Sequence, residues 1–337
     1  MAARIAQLAL TDPGQLGLPG QAPTPSSNSA CVQLLGEGES YRVWRLDVAG
    51  HPPLAVRVAR RALQELPRPM HQEFAALSQL PDGIGPSPVL LNENPDSPLG
   101  APYMVCGYVP GRVPKPAQWS DSLLHAHARQ LSRFHARAFP RCGDIGAPAA
   151  EQSAPLSLVS LFEESLAWWQ GRFPHMLRSR EIGALLSRVE AFVTAAEPAF
   201  RRLDRFALIH GDLVVPNIVV DDVGTPRYVD WEWAQLGDPA QDLAYIGGHV
   251  PAAPWYLQLD RTRIHRLLTT YLRYSPDAGM ETLDQLAMRR DAWEVYERFF
   301  SCLHFRTRRS TPEDRRSGLY TRVVAQLTAG LDARLSP

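Results

Sequence analysis

The chain has 337 residues, 45% hydrophobic and 21% charged, the ordinary balance of a soluble globular protein with room for about two lobes and a sizeable core. Its 35 basic and 35 acidic residues cancel, so no basic excess points to nucleic acid, and no run of about 18 apolar residues points to a membrane span. Four scattered cysteines (Cys31, Cys106, Cys142, Cys302) form no C-x-x-C pair, and Met1 to Leu10 is too short and too weakly apolar for a secretory signal, which together fit a reducing cytoplasm.

Residues 12–29 are rich in Pro, Gly and Ser and read as a loop or linker, so residues 1–29 are expected to form a partly linker-like N-terminal segment. From Cys31 to Val58 the pattern is strand-like: VQLLG and YRVWRLDV flank a glycine pair, and Leu54–Val58 makes a third short strand. Met70 to Leu80 has helical spacing, and Ser87–Leu91 and Pro102–Val109 are two further strands. After Gly111 the character changes. Amphipathic helices are expected over Ser120–Ala138, Val159–Gln170 and Ile182–Leu203, and a loop over residues 140–158. A short β-rich patch follows (Leu208-Ile209, Ile218–Val220, Arg227–Val229), and from Leu257 the chain is mostly helical, with breaks near Ser275–Gly279 and Ser310–Asp314. A β-rich lobe at 30–107 followed by a larger, mainly helical lobe at 108–337 outlines an α+β, bilobal, protein-kinase-like fold.

The segment Leu208–Ile246 carries the most chemistry. Phosphoryl transfer from a nucleotide to an alcohol needs one carboxylate to orient the hydroxyl and accept its proton, and oxygen ligands to hold magnesium against the phosphates. His210-Gly211-Asp212 is followed five positions later by Asn217, and Asp230 lies eighteen positions after Asp212, just past an apolar strand. A hairpin turning at Val223–Pro226 would bring Asn217 and Asp230 side by side. Each residue alone could be a cap or turn residue; in this order and spacing they supply a base and two metal ligands.

HGDLVVPN, Asp230-Trp231-Glu232 and GDPAQDLA resemble the aminoglycoside phosphotransferase and choline kinase family, with its HGD-x4-N, Asp-containing triplet and GDP-x-x-DLA. The resemblance runs from about Leu34 to about Ile246 and implies Asp212 as catalytic base, Asn217 and Asp230 as Mg2+ ligands, and Asp238 and Asp242 as anchors of the catalytic loop. The family often places His or Gly between the base and the asparagine. This chain has Leu213–Pro216 there, which leaves the catalytic positions untouched.

Upstream, Gly36-Glu37-Gly38-Glu39-Ser40 lies between two strands and reads as a phosphate loop, where glycines admit close backbone approach and Ser40 adds a hydroxyl. A G-x-G alone is more often a hairpin turn, so its place in the lobe carries the argument. The third strand should present a cation to the phosphates, paired with a helix glutamate. These fall on Arg57 and Glu73. Lysine is more usual at that place, but Lys115 is the only lysine in the chain, so arginine must take most fixed-cation work. Pro102–Gly111 resembles a hinge strand, with a nucleobase expected on backbone groups near Gly107 and Val109. No G-x4-G-K-[ST] is present, which excludes a P-loop kinase by motif.

The expected activity is transfer of the γ-phosphate of ATP or GTP, with Mg2+, to a hydroxyl of an antibiotic, aminoglycoside-type or other. The alternatives are a metabolic kinase of the same fold for a choline-, homoserine- or sugar-like alcohol, and a catalytically silent pseudokinase; the intact Asp212, Asn217 and Asp230 argue against the last. The acceptor side is less legible. From His249 onward 14 arginines stand against 10 acidic residues, so no acidic excess marks a polycation site, although Glu163 and Glu164 could line a pocket. Trp293, Tyr296, Phe299, Phe300 and Phe305 could cage a quaternary cation but at helical spacing read more readily as core. His125 and His127 share no helix face and make a poor metal pair, and Trp168-Trp169 reads as helix packing. Nothing in the sequence sets oligomeric state.

Overall fold

The computed structural model describes residues 1–19, 30–148, 151–153, 155–276, 281–309 and 317–336. Its N-terminal lobe is a five-stranded antiparallel sheet in the order β1 (Ala30–Glu37), β2 (Tyr41–Val48), β3 (Leu54–Ala59), β5 (Tyr103–Gly107), β4 (Pro88–Asn92), with helix α2 (Met70–Leu77) between β3 and β4 in the chain. All six residues of β3 are buried, because both faces of this central strand are covered. Period-two alternation puts Leu54, Val56 and Val58 into one apolar cluster and turns Arg57 to the opposite face, toward the second lobe.

That apolar cluster is closed by an element the sequence reading did not anticipate. Helix α1 (Ala2–Thr11) and the 3-10 turn Pro13–Leu16 lie on the back of the sheet and bury Ile5, Leu8, Ala9 and Leu16. Tyr103 Oη donates to the Gln15 carbonyl at 2.6 Å, and Arg4 donates to the Leu99 carbonyl at 2.9 Å. The N-terminal segment is thus part of the lobe's core as far as residue 19; residues 20–29, within the expected linker, lie outside the described residues.

The C-terminal lobe is helical. Helix α3 (Asp121–Phe134) packs on α8 (Arg261–Tyr274), and α4 (Leu158–Arg172), the short α5 (Pro174–Leu177) and α6 (Arg180–Phe200) pack with α9 (Leu283–Arg309) and α10 (Ser317–Leu335). The helix starts are set by side-chain caps: Ser120, Ser157, Ser179 and Asp260 each accept from a backbone N–H of the first turn. Between α6 and α8 lie the short strands β6 (Ala207–Ile209), β7 (Ile218–Val220), β8 (Pro226–Tyr228) and β9 (Gln235–Gly237), then α7 (Pro239–Tyr245) and the β10 (Ile246–Gly248)–β11 (Leu257–Gln258) pair. β7 and β8 form the expected hairpin, and β9, not read from the sequence, returns to pair with β6. Trp293, Phe299 and Phe305 are buried in the main core, whereas Trp168 is 57% exposed and only Trp169 packs inward. The breaks at 277–280 and 310–316 lie outside the described residues.

Candidate active site

The cleft between the lobes is built from β3, α2, the phosphate loop and the stretch from β6 to α7. The β6–β9 and β7–β8 pairs hold the two ends of the catalytic loop His210–Asn217. Gly211 takes φ +77, and a Cβ there would stand 2.4 Å from the Trp233 carbonyl oxygen, so the loop passes that backbone with no room for a side chain. Its path is fixed from beneath by Asp242, which is fully buried and accepts from the backbone N–H of His210 at 2.8 Å and of Gly211 at 3.0 Å. The His135 ring contacts the same carboxylate at 3.1 Å. Burial opposes the charge on Asp242, but these donors outweigh it and hold the pKa below the ordinary value. Asp238 caps α7 through the Ala240 N–H at 3.0 Å and accepts from Arg289 Nε at 2.9 Å and Trp293 Nε1 at 3.0 Å. Both aspartates therefore shape the loop from below and do not face the cleft.

Asp212, Asn217 and Asp230 come together as the spacing requires. Asn217 Nδ2 donates to the Asp212 carbonyl at 2.8 Å and to its carboxylate at 3.2 Å, and the Val229 N–H donates to the Asn217 carbonyl at 3.0 Å, which sets Asp230 beside Asn217. Asp230 has φ +68, the one non-glycine residue in the left-handed region among those described. Its side chain is thereby turned back toward β3, where Oδ1 meets Arg57 Nη2 at 2.8 Å. Arg57 also meets Glu73 at 3.0 Å, and its guanidinium lies 4.6 Å from the centroid of the Tyr41 ring. Burial works against the charge on Arg57, yet Glu73 and Asp230 together raise its pKa well above the usual arginine value, so it is a permanent cation.

The carboxylates crowd one another. Burial first, and then the charge of Asp230, push Asp212 up to about 8, and the same two causes push Glu232 up to about 8. Burial takes Glu73 up to about 7 against the pull of Arg57. Glu232, the third residue of the Asp-Trp-Glu triplet, lies close enough to the Ser40 hydroxyl for that donor to favour its charged form, which brings the phosphate loop beside the Asp230 segment. Gly38 and Ser40 lie at the turn between β1 and β2, and Gly36 lies just before it in β1, at a break in the register with β2. A Cβ at Gly36 would meet nothing within 4 Å, so internal packing does not require glycine there. At the hinge the Gly107 N–H is committed to the Ser87 carbonyl at 2.8 Å and the Tyr108 N–H to the Pro53 carbonyl at 2.9 Å, so Gly107 has no amide to offer a base. Val109 follows directly, in the irregular stretch after β5.

The sequence reading also missed Glu297, on α9. Gln241 Nε2 donates to it at 2.8 Å, burial raises it to about 7, and its charge is felt by Asp212. No local signal marks it, because only the packing of α9 against α7 brings it to the site.

Magnesium suits this donor set. Among the described residues no three or more His, Cys, Asp or Glu could by themselves hold a metal ion, and a hard cation held by one carboxylate, one amide oxygen and phosphate oxygens needs no such cluster. The elevated pKa values of Asp212 and Glu232 beside Asp230 mark a place short of positive charge.

A β-rich lobe with an arginine–glutamate pair over a helical lobe with an Asp…Asn…Asp cluster defines a phosphotransferase of the kinase type. The model of the phosphotransferase enzyme family matches residues 32–287, and the chain belongs to that family of enzymes, which transfer phosphate to hydroxyl groups. No curated protein matches it by sequence. Among solved structures it is similar to aminoglycoside phosphotransferase APH(4)-Ia (12% identity, 99% of this chain and 98% of that one, TM-score 0.61). A thermostable mutant of the same enzyme in ternary complex with AMP-PNP and hygromycin B gives 14% identity, 91% and 94% coverage and TM-score 0.56. The GDP and kanamycin complex of APH(2")-IIIa gives 16% identity, 89% and 92% coverage and TM-score 0.57. At these identities the likeness is one of fold.

Proposed function

We propose that the protein is a small-molecule kinase that transfers the γ-phosphate of ATP or GTP to a hydroxyl of an antibiotic, aminoglycoside-type or other. In this reading residues 30–107 hold the nucleotide, and residues 108–337 hold the catalytic loop, the metal ligands and the acceptor. The observation that carries it is the meeting of Asp212, Asn217 and Asp230 directly beneath the buried Arg57–Glu73 pair. The relatives in complex with AMP-PNP or GDP, and with hygromycin B or kanamycin, support the choice of co-substrate and acceptor class.

Asp212 orients the acceptor hydroxyl and takes its proton; Asn217 holds its carboxylate in place through Nδ2. Asn217 and Asp230 would hold Mg2+, which supplies charge neutralisation along the phosphates. Arg57 binds the inner phosphates, with Glu73 fixing its fork, and the amides of Gly36–Ser40 cover the phosphate chain. The nucleobase is held by backbone groups near Gly107 and Val109 other than the Gly107 N–H, which the Ser87 carbonyl occupies. Little covalent chemistry falls to the protein, so rate comes mainly from position and charge.

The test is a mass-spectrometric screen with Mg-ATP and, separately, Mg-GTP against pooled aminoglycosides, other hydroxylated antibiotics, choline and small alcohols. Wild type should yield a phosphorylated product, and Asp212→Asn should lower its rate by about 10²–10⁴-fold with nucleotide affinity retained. Equal turnover by the two proteins overturns the base assignment. A product from choline or a small alcohol alone replaces the antibiotic with a metabolic acceptor.

A further inference from the structure

Helix α9 runs from α7, beside the catalytic loop, to the phosphate loop of the first lobe. Glu297, Ser301, His304 and Arg308 recur at four, three and four residues and so share one face. Each has a partner off the helix: Glu297 with Gln241 at 2.8 Å, Ser301 with Tyr256 Oη at 2.6 Å, and His304 and Arg308 with Glu39 of the phosphate loop. The stripe is acidic where it passes Asp212 and cationic where it meets the loop, about 16 Å further along the helix.

Glu39 is therefore a carboxylate of the first lobe seated on Arg308 and His304 of the second. His304 Nε2 lies 3.3 Å from it, Arg308 pairs with it directly, and Arg61 of its own lobe completes the cluster at 3.3 Å. Its neighbour Ser40 lies beside Glu232, two residues past Asp230. The loop tip thus bridges the metal side and the cationic end of α9, and a nucleotide lying under the loop would carry its terminal phosphate between them. Three carboxyl groups, Asp212, Asp230 and Glu232, already crowd that place, and Arg57, paired with Glu73 and Asp230, serves the inner phosphates. Arg308, with the His304 ring beside it, is the cation that α9 delivers to the loop tip.

We propose that His304 and Arg308 form an anion subsite for the terminal phosphate of the nucleotide, and that Glu39 fills it as an internal anion until the nucleotide displaces it. This deepens the kinase reading and rests on it. Arginine suits the task through its fork of donors, and a charge-assisted pair to a phosphate is stronger than a neutral hydrogen bond.

The experiment is calorimetric binding of Mg-ADP and Mg-AMP-PNP, with GDP and its imido-triphosphate analogue in parallel, to wild type, Arg308→Ala, Arg308→Lys and Glu39→Gln. Arg308→Ala should weaken the triphosphate analogue about tenfold while changing the diphosphate less than about twofold, and Arg308→Lys should recover part of the loss. Glu39→Gln should tighten the triphosphate analogue several-fold by removing the competing carboxylate. It decides the matter should Arg308→Ala fail to fold. Equal effects on both nucleotides, or none on either, overturn the subsite. Wild type that binds no nucleotide at all overturns the kinase reading instead, so the two failures are distinct.

Discussion

The catalytic loop and the phosphate loop are held to the molecule by different means. Beneath the catalytic loop, Asp242 and Asp238 are fully buried and accept from backbone amides, Arg289 and Trp293 at ordinary hydrogen-bond distances, and Tyr245 Oη donates to the Gly211 carbonyl at 2.5 Å. Around the phosphate loop the ties are ion pairs at the surface: Glu37 with Arg42 and Arg60, Glu39 with Arg61, His304 and Arg308, all partly exposed. Buried networks are costly to break, whereas exposed pairs exchange with water and salt. The His210–Asn217 loop is thus pre-positioned, and the Gly36–Ser40 loop is left able to adjust.

The largest effect on stability should come from beneath the catalytic loop. Asp238→Ala strips a cap from α7 and leaves Arg289 with a single carboxylate, Glu281; we expect a loss of about 3–5 kcal/mol in urea unfolding. A loss below about 1 kcal/mol would erase the contrast between the loops. Gly211→Ala comes next, because it meets the Trp233 carbonyl while forced to a left-handed φ. The expected cost is about 1–3 kcal/mol, together with reduced turnover at retained nucleotide affinity, separable by calorimetry and rate measurements.

A pH test sharpens the picture of the base. Burial and Asp230 raise Asp212 from 3.8 in the reference state to about 8 when folded. Across that interval the folded chain keeps a proton that the unfolded chain releases, so this residue makes stability fall as pH rises from about 4 toward 8. Asp212→Asn removes the dependence. In metal-free buffer its melting midpoint should gain about 2 °C on wild type at pH 8 and little at pH 4. A gain that shrinks as pH rises contradicts the assigned environment. The smallest effect belongs to the other loop: Glu37→Gln, which loses the pairs with Arg42 and Arg60, should change unfolding free energy by less than about 1 kcal/mol.

The parts of the site that could be read from the sequence share a physical reason. His210–Asn217, Asp230 and the Gly237–Ala244 segment are close in the chain, and a hairpin and two short strands leave few ways to arrange them. Arg57 and Glu73 were legible because strand alternation and one helical turn decide which way each points, even though their partner Asp230 is distant in sequence. What escaped was set by long-range packing. The Glu39–Arg308 pair and the approach of Glu297 to Asp212 exist only once α9 has docked. Helix α1 escaped for another reason: Ile5, Leu8 and Ala9 carry helical spacing, but so short an element beside a Pro/Gly-rich stretch reads as a tail until the uncovered back of the sheet is seen to need it.

The arginine at position 57 has a practical corollary for chemical labelling. Nucleotide probes that acylate an amine beside the phosphates report on kinases through a strand lysine. Here the only lysine side chain in the chain, Lys115, is exposed just past the hinge, and the buried cation of the cleft is a guanidinium. Such probes should pass this enzyme by in a labelling survey, and an inhibitor built to capture a strand lysine should spare it.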